Sequence, residues 1–245
     1  MKFPAVIVFD VDGVLVDVRG SFQKTTLETV ELFTGKKVTR AKLHKWKNKS
    51  GYNDDWKLST AWIHALGGDA DYETVKAKFV ELYWGKDGDG NVKNEKWLMP
   101  PEAMEKLVRH SELALFTGRT KWELEYTLER SGCRKFFSQI VTVEDVKLPK
   151  PDAEGLLQIA NGRDSINILY LGDNVDDALA ARSGLVPFVG VLPRDGEERP
   201  QRARRLGELG ALTIFHEVNE LEHWLLSESH RNSMNPASVR PGWWD

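Results

Sequence analysis

The sequence predicts an α/β fold, a parallel, doubly wound sheet interrupted by one large helical insertion. Three observations predict it. Short apolar runs recur along the chain, and most lack the period-two alternation of half-buried strands, which marks strands covered on both faces. Stretches with helical spacing lie between them. One interval, from Asp10 to Thr117, is roughly three times longer than a β-α-β unit requires.

The predicted strands are Ala5–Phe9, Glu112–Phe116, Gln139–Val143, Ile166–Leu171, Phe188–Leu192 and Leu212–Phe215. The predicted helices between them are Pro101–His110, Lys121–Ser131, Asp152–Ala160, Val175–Ser183 and Glu217–Leu226, the first opened by Pro100 and Pro101. Residues 18–98 then form a second, helical unit that leaves and re-enters beside the first strand. Its helices are expected at Phe22–Phe33, Lys42–Lys49, Asp54–Leu66 and Tyr72–Trp84. Trp46, Trp56, Trp62 and Trp84 are expected to fill its small core. The sheet unit is thus residues 1–17 and 99–227. Residues 228–245, ending in Gly-Trp-Trp-Asp, read as a tail, in which Trp243 and Trp244 could dock on the body or on a second copy.

The 245 residues can bury a core without staples, and the single cysteine, Cys133, allows no internal disulfide. That usage, with an N-terminal apolar run too short for a signal peptide, suits the cytoplasm. No stretch approaches a membrane span. The formal net charge of −3 gives no reason to expect nucleic acid as a partner. The basic run Arg199, Arg202, Arg204 and Arg205 is interleaved with Glu197, Glu198 and Glu208 and reads as a solvated helix face. Asp87-Gly-Asp89-Gly-Asn91 imitates the start of a calcium loop. Val92 and Leu98 stand where that loop needs Gly and Glu, so it reads as an exposed turn. The histidines lack zinc-site spacing.

The chemistry gathers in four segments: Asp10 and Asp12 in VIVFDVDGVL, Thr117 in LALFTGR, Lys150 in LPKPD, and Asp173 with Asp177 in LYLGDNVDD. Three of them directly follow apolar runs, which places them at the carboxyl ends of buried strands, where open α/β sheets bind ligands. Neighbouring carboxylates disfavour each other's ionised form, and a divalent cation relieves this. Oxygen-only ligation suits Mg²⁺. A carboxylate can also attack phosphorus, giving an acyl phosphate that water cleaves. Thr117, the backbone N–H of Gly118 and Lys150 could hold the phosphoryl oxygens. Asp12 could supply the proton.

In this order the residues resemble the haloacid dehalogenase superfamily, whose motifs look like DxDx(T/V), a Ser or Thr, a Lys, and GDxxxD. They stand here as Asp10-Val-Asp12-Gly-Val14, Thr117, Lys150 and Gly172-Asp173-Asn-Val-Asp-Asp177. The resemblance implies a Rossmann-like core, Asp10 as nucleophile and Asp12 as general acid and base. It implies Mg²⁺ on the Asp10 carboxylate, the Asp12 carbonyl and Asp173, with Asp177 in support and Asp176 as the alternative. Val14 and Asn174 are mild departures, where Thr and Ser are frequent.

The position of the insertion resembles the helical cap of the subfamily containing phosphoglycolate phosphatases. The resemblance implies closure over the site and a leaving group read by the cap. Lys49–Trp56 is the best candidate segment for that reading, with Asn53 and Asp54 either contacting substrate or capping the next helix. Arg19, Lys24 and Arg119 are the candidates for an anionic leaving group.

The sequence therefore predicts a Mg²⁺-dependent phosphatase of a small phosphorylated metabolite, phosphoglycolate first. A phosphomutase with the same core residues and a non-catalytic binding protein on the same fold are the alternatives. Asp12 argues against a dehalogenase and against a phosphonate hydrolase, which lack an acid there. A homodimer is left open.

Overall fold

The protein is described by a computed structural model covering residues 3–194 and 198–227. Glu197 and the tail from 228, with Trp243 and Trp244, lie outside the described residues. In chain order the elements are β1 (Val6–Phe9), β2 (Val16–Asp17), α1 (Phe22–Thr34), α2 (Arg40–Lys47), α3 (Asp55–Ala65), α4 (Tyr72–Trp84), β3 (Lys96–Trp97), α5 (Pro101–Leu107), β4 (Glu112–Phe116), α6 (Lys121–Ser131), β5 (Phe137–Val141), α7 (Glu154–Ala160), β6 (Ile168–Gly172), α8 (Val175–Ser183), β7 (Phe188–Val191), α9 (Arg199–Glu208), β8 (Ala211–Phe215) and α10 (Glu220–Leu226).

Six strands form one parallel sheet in the order β5-β4-β1-β6-β7-β8. β1 is central, paired with β4 on one side and β6 on the other. That order, an α/β sheet with its switch between β4 and β6, sets the polar residues that follow β1, β4 and β6 side by side at one edge.

All four residues of β1 are fully buried, and alternation sends them to opposite faces. Ile7 and Phe9 join one apolar cluster, with Leu113, Leu115, Leu169 and Leu171. Val6 and Val8 join the other, with Ala114, Phe116, Ile168 and Tyr170. An unbroken apolar run is the sequence form of such a two-faced strand. β5 starts two residues earlier than its apolar run suggests and also ends two residues earlier, because Val143 is taken into a short turn in which Thr142 and Asp145 form a capping box. Ile166 likewise sits in a turn capped by Asp164 rather than in β6.

The segment between β2 and β3 is helical and owns a third cluster, including Val30, Leu43, Leu58, Trp62 and Val75. α3 and α4 begin at capping aspartates, Asp54 and Asp71. The Trp residues divide. Trp46 and Trp62 pack on one another in that third cluster, Trp84 meets Trp122 and Tyr126 of α6, and Trp56 faces a cavity. The antiparallel pair β2–β3, too short for a sequence signal, ties the two connections of this segment together. The Asp87–Asp89 stretch is a turn: Asp87 and Gly88 have positive φ, and Asp89 accepts from the Lys86 N–H at 2.8 Å. Among the described residues no helix is long and apolar enough to cross a membrane.

α9 departs from the solvated face expected of it. Arg204 and Arg205 are exposed and pair with Glu208, but Arg199 and Arg202, three apart and so on one helix face, turn inward.

Truncating the central strand should be felt on the whole sheet. Ile7→Ala is expected to destabilise the protein by roughly 2–5 kcal/mol, read as a lower urea midpoint with an unchanged slope.

Candidate active site

Asp10 directly follows β1 and is 3 % exposed; its N–H donates to Leu171 O of β6 at 2.8 Å. Across the sheet edge Lys150 Nζ lies 2.9 Å from Asp10 Oδ1 and 2.8 Å from Asp177 Oδ1. The Lys150 side chain is as buried as its two partners. Burial alone would lower the lysine's pKa, but the two carboxylates raise it, so Lys150 is a fixed ammonium. The flanking Pro149 and Pro151 restrict its loop.

Asp177 is held from four directions. Oδ1 accepts from Lys150 and from the Tyr170 hydroxyl at 2.7 Å, and Oδ2 accepts from the N–H groups of Asp173 and Asn174 at 3.1 and 3.2 Å. The Asn174 side chain completes a capping box at the start of α8. Gly172 leaves room for this, since a Cβ there would collide with the Asp177 side chain. Asp177 thus anchors Lys150 and the turn carrying Asp173.

Asp10, Asp173 and Asp177 each bring a carboxylate oxygen within 4.8 Å of the others. Burial raises the Asp10 pKa well above the usual carboxylate range; Lys150 opposes this, while Asp177, Asp12 and Asp173 add to it. Burial also pushes Asp173 up to about 6, against the pull of Arg202. One lysine does not relieve this crowding. A hard divalent cation among the oxygens would, and the donor set fits one. Gly13, at φ 77°, permits the close packing: a Cβ on it would lie 2.5 Å from Asp173 Oδ2.

The Asp12 carboxylate turns away from that group. Arg119 donates to its Oδ1 from Nε at 2.9 Å and from a terminal nitrogen at 2.6 Å. The same guanidinium reaches Glu95 at 2.8 and 3.2 Å and Thr127 Oγ1 at 2.6 Å, and it stacks over Phe22. Arg119 is 2 % exposed. It is therefore a buried clamp on Asp12 rather than a surface residue or an unengaged binder of a leaving group. Thr117 is buried beside it and accepts the Arg119 N–H at 3.2 Å.

A cavity of about 530 Å³ opens above these residues, lined by Asp10, Asp12, Gly118, Arg119 and Lys150 of the sheet edge and by Gly51, residues 53–57 and Tyr72 of the helical segment. The turn at Gly51–Asp55 is fastened down. The Gly51 N–H donates to both Asp176 oxygens at 3.1 and 3.0 Å, and Asn174 Nδ2 donates to Asn53 Oδ1 at 3.1 Å. Asp176 therefore serves this latch, outside the three-acid group. Gly118 passes so close under Asn53 that a Cβ would strike its amide. Asp54 lines the cavity while accepting the N–H groups of Trp56 and Lys57, so its capping and lining roles coexist. Lys47 and Asp55 form a partly buried ion pair at 2.8 Å near this turn.

Two expected contacts do not arise here. Arg19 folds onto Asp17 at 2.6 Å and lines a different cavity. Lys24 is exposed, 3.6 Å from Glu28 one helical turn on. Sequence reasoning missed Glu95 and Lys47. Glu95 lies in a polar stretch that reads as a turn, and Lys47 is one lysine among several. Only an Arg directly after LFTG, amid apolar surroundings, hinted at the clamp.

Residues 7–191 match the family described as haloacid dehalogenase-like hydrolase. The chain belongs to that family. Among curated proteins it is 29 % identical over 195 residues to an imidazoleglycerol-phosphate dehydratase of Phytophthora nicotianae, covering 76 % of this chain and 43 % of that protein. It is 33 % identical over 81 residues to a phosphoglycolate phosphatase of Agrobacterium fabrum, covering 32 % and 35 %. In both, this haloacid dehalogenase-like chain spans less than half of the relative's length. Among solved structures, a phosphonoacetaldehyde hydrolase-like protein from Oleispira antarctica superposes with a TM-score of 0.71 at 17 % identity, covering 96 % of each chain, which is a likeness of fold.

Removing the clamp should cost stability. Arg119→Ala leaves Glu95 and Asp12 buried or half-buried without their counter-charge, and a loss of about 3–5 kcal/mol is expected in chemical denaturation. Glu95→Gln, which keeps hydrogen-bonding capacity, should lose less.

Proposed function

We propose that the chain is a Mg²⁺-dependent phosphatase that hydrolyses a small phosphorylated metabolite through an aspartyl phosphate on Asp10. The observation that carries this reading is the placement of the Asp10 carboxylate at a cavity wall, against a fixed ammonium and within 4.8 Å of two further acids, Asp173 and Asp177. Asp10 and Asp173, with the Asp12 carbonyl, would hold Mg²⁺, and Asp177 would support them. When bound, the ion offsets the charge of the carboxylates and of the substrate phosphoryl group, letting Asp10 stay ionised beside it.

In the first step an Asp10 oxygen attacks phosphorus and the bond from phosphorus to the ester oxygen breaks. Asp12 gives its proton to the departing alkoxide. Both Arg119 bonds fall on Asp12 Oδ1, which leaves Oδ2 to carry that proton. In the second step Asp12 takes a proton from water, and the water oxygen attacks phosphorus. The bond from phosphorus to Asp10 breaks, restoring the carboxylate and releasing phosphate. Lys150, the Thr117 hydroxyl and the Gly118 N–H face the phosphoryl oxygens and stabilise the charge on them.

The helical segment 18–98 acts as a cap on the core formed by 1–17 and 99–227. Its latch through Asp176 and Asn174 closes the turn at 51–55 over the cavity and limits water access during the first step. Asn53, Asp54 and Lys57 then meet the leaving group. The exposed Lys57 at the rim suits a carboxylate, which makes 2-phosphoglycolate the first substrate to try, in line with the name of the Agrobacterium relative. Asp12, an acid where a phosphonate hydrolase lacks one, favours ester hydrolysis.

The test is turnover by the purified full chain. Hydrolysis of p-nitrophenyl phosphate is expected with Mg²⁺, with loss on chelation, recovery on adding the ion back, and none in Asp10→Asn. The same assay on 2-phosphoglycolate, sugar phosphates and amino-alcohol phosphates should release free phosphate with the alcohol. Conversion to an isomer without phosphate release would replace this reading with a phosphomutase.

A further inference from the structure

A second cavity, of about 350 Å³, lies beside the acid group; Asp173 lines it, but neither Asp10 nor Lys150 does. Its walls carry Arg19, Arg40, His44, Arg199, Arg202 and His216. They come from two bodies: Arg40 and His44 from α2 of the helical segment, Arg199 and Arg202 from the inward face of α9. The walls are joined where His44 Nδ1 meets Glu198 at 3.5 Å.

The charges here are not cancelled. Three carboxylates also line the cavity, and two are committed: Asp17 to Arg19 at 2.6 Å, Asp173 to Arg202 at 3.2 Å. The third, Glu217, is exposed. Among the described residues Arg199 has only neutral partners, the Leu192 carbonyl at 3.4 Å and His216 Nδ1 at 2.7 Å. A guanidinium donating to Nδ1 leaves the His216 proton on Nε2, as a further donor. Arg40 is exposed and forms no ion pair among the described residues. The side chains that face this space are thus rich in donors, and two of them carry uncommitted guanidinium charge. Planar guanidiniums from opposite walls match the oxygens of a tetrahedral dianion.

We infer that this cavity is a second, anion-binding site, which takes a small phosphate-like dianion between Arg40 of α2 and Arg199 of α9. Its ligand clamps the helical segment to the core. Arg202 connects it to the acid group, since the same side chain donates to the Asp173 carbonyl at 2.8 Å and to its carboxylate. The site is independent of turnover at Asp10, so it stands or falls separately from the phosphatase reading.

The experiment is equilibrium binding of inorganic phosphate to the full chain in the presence of Mg²⁺, by dialysis or calorimetry. Two phosphates per chain are expected in the wild type, one at each cavity. Arg40→Ala and, separately, Arg199→Gln should weaken one of the two by about tenfold and leave the other unchanged. Asp10→Ala should alter only the other one. Arg40 is exposed at the start of its helix, so its variant is expected to fold, which circular dichroism checks. Methylphosphonate as a second probe separates the ligand's source: binding as tight as phosphate assigns the cavity to a phosphorylated metabolite, weaker binding assigns it to the free ion. No phosphate binding, or binding that neither arginine variant weakens, overturns the inference, whether the wild type takes one phosphate or two.

Discussion

The constraint on which the structure turns is the crowding of carboxylates at the ends of β1 and β6. Asp10, Asp173 and Asp177 meet within 4.8 Å, and among the described residues Lys150 is the one cation bonded to two of them. Such a group is costly unless each oxygen has a partner. Much of the local architecture supplies those partners: the Tyr170 hydroxyl, the N–H groups of Asp173 and Asn174, the Arg202 guanidinium and the glycines that let chains approach. The charge left over is what a divalent cation and a phosphoryl group would complete. The sheet provides the rigidity, since Asp10 and Asp173 directly follow strands buried on both faces and Asp177 lies in the first turn of the helix after β6.

A second buried charge system works beside the first. Arg119 links Asp12 to Glu95 and Thr127, so the position of the Asp12 carboxylate depends on the connection that returns from the helical segment. Tyr83, from the last helix of that segment, donates to Glu95 at 2.9 Å. The segment therefore touches the reacting edge twice, through this strap and through the Asp176 and Asn174 latch. Motion of the helices would be felt at Asp12, a physical route by which closure and proton transfer can be linked.

How legible this was in the sequence follows from the range of each interaction. The parallel sheet was legible because two-faced burial writes unbroken apolar runs such as VIVF and ILYL. Asp10, Lys150 and the turn carrying Asp173 and Asp177 were legible as one cluster because each directly follows such a run or sits between prolines. Arg119 was visible as a site residue, but its clamp on Asp12 was not: nothing local says that Glu95, 24 positions away, will meet it. The same holds for Arg199 and Arg202, whose helix looks solvated until β8 and the acid group are placed against it. Charge networks between distant segments have no periodicity to read; strands and helices do.

The central claim is that Asp10 becomes covalently bonded to phosphorus. Rapid quenching during turnover, followed by mass spectrometry of the peptides, tests it most directly. The account predicts the mass of one phosphoryl group on the peptide carrying Asp10, absent from resting enzyme and lost on further incubation. Steady turnover with no such adduct on any quench time, or with the phosphoryl group on another residue, would contradict it.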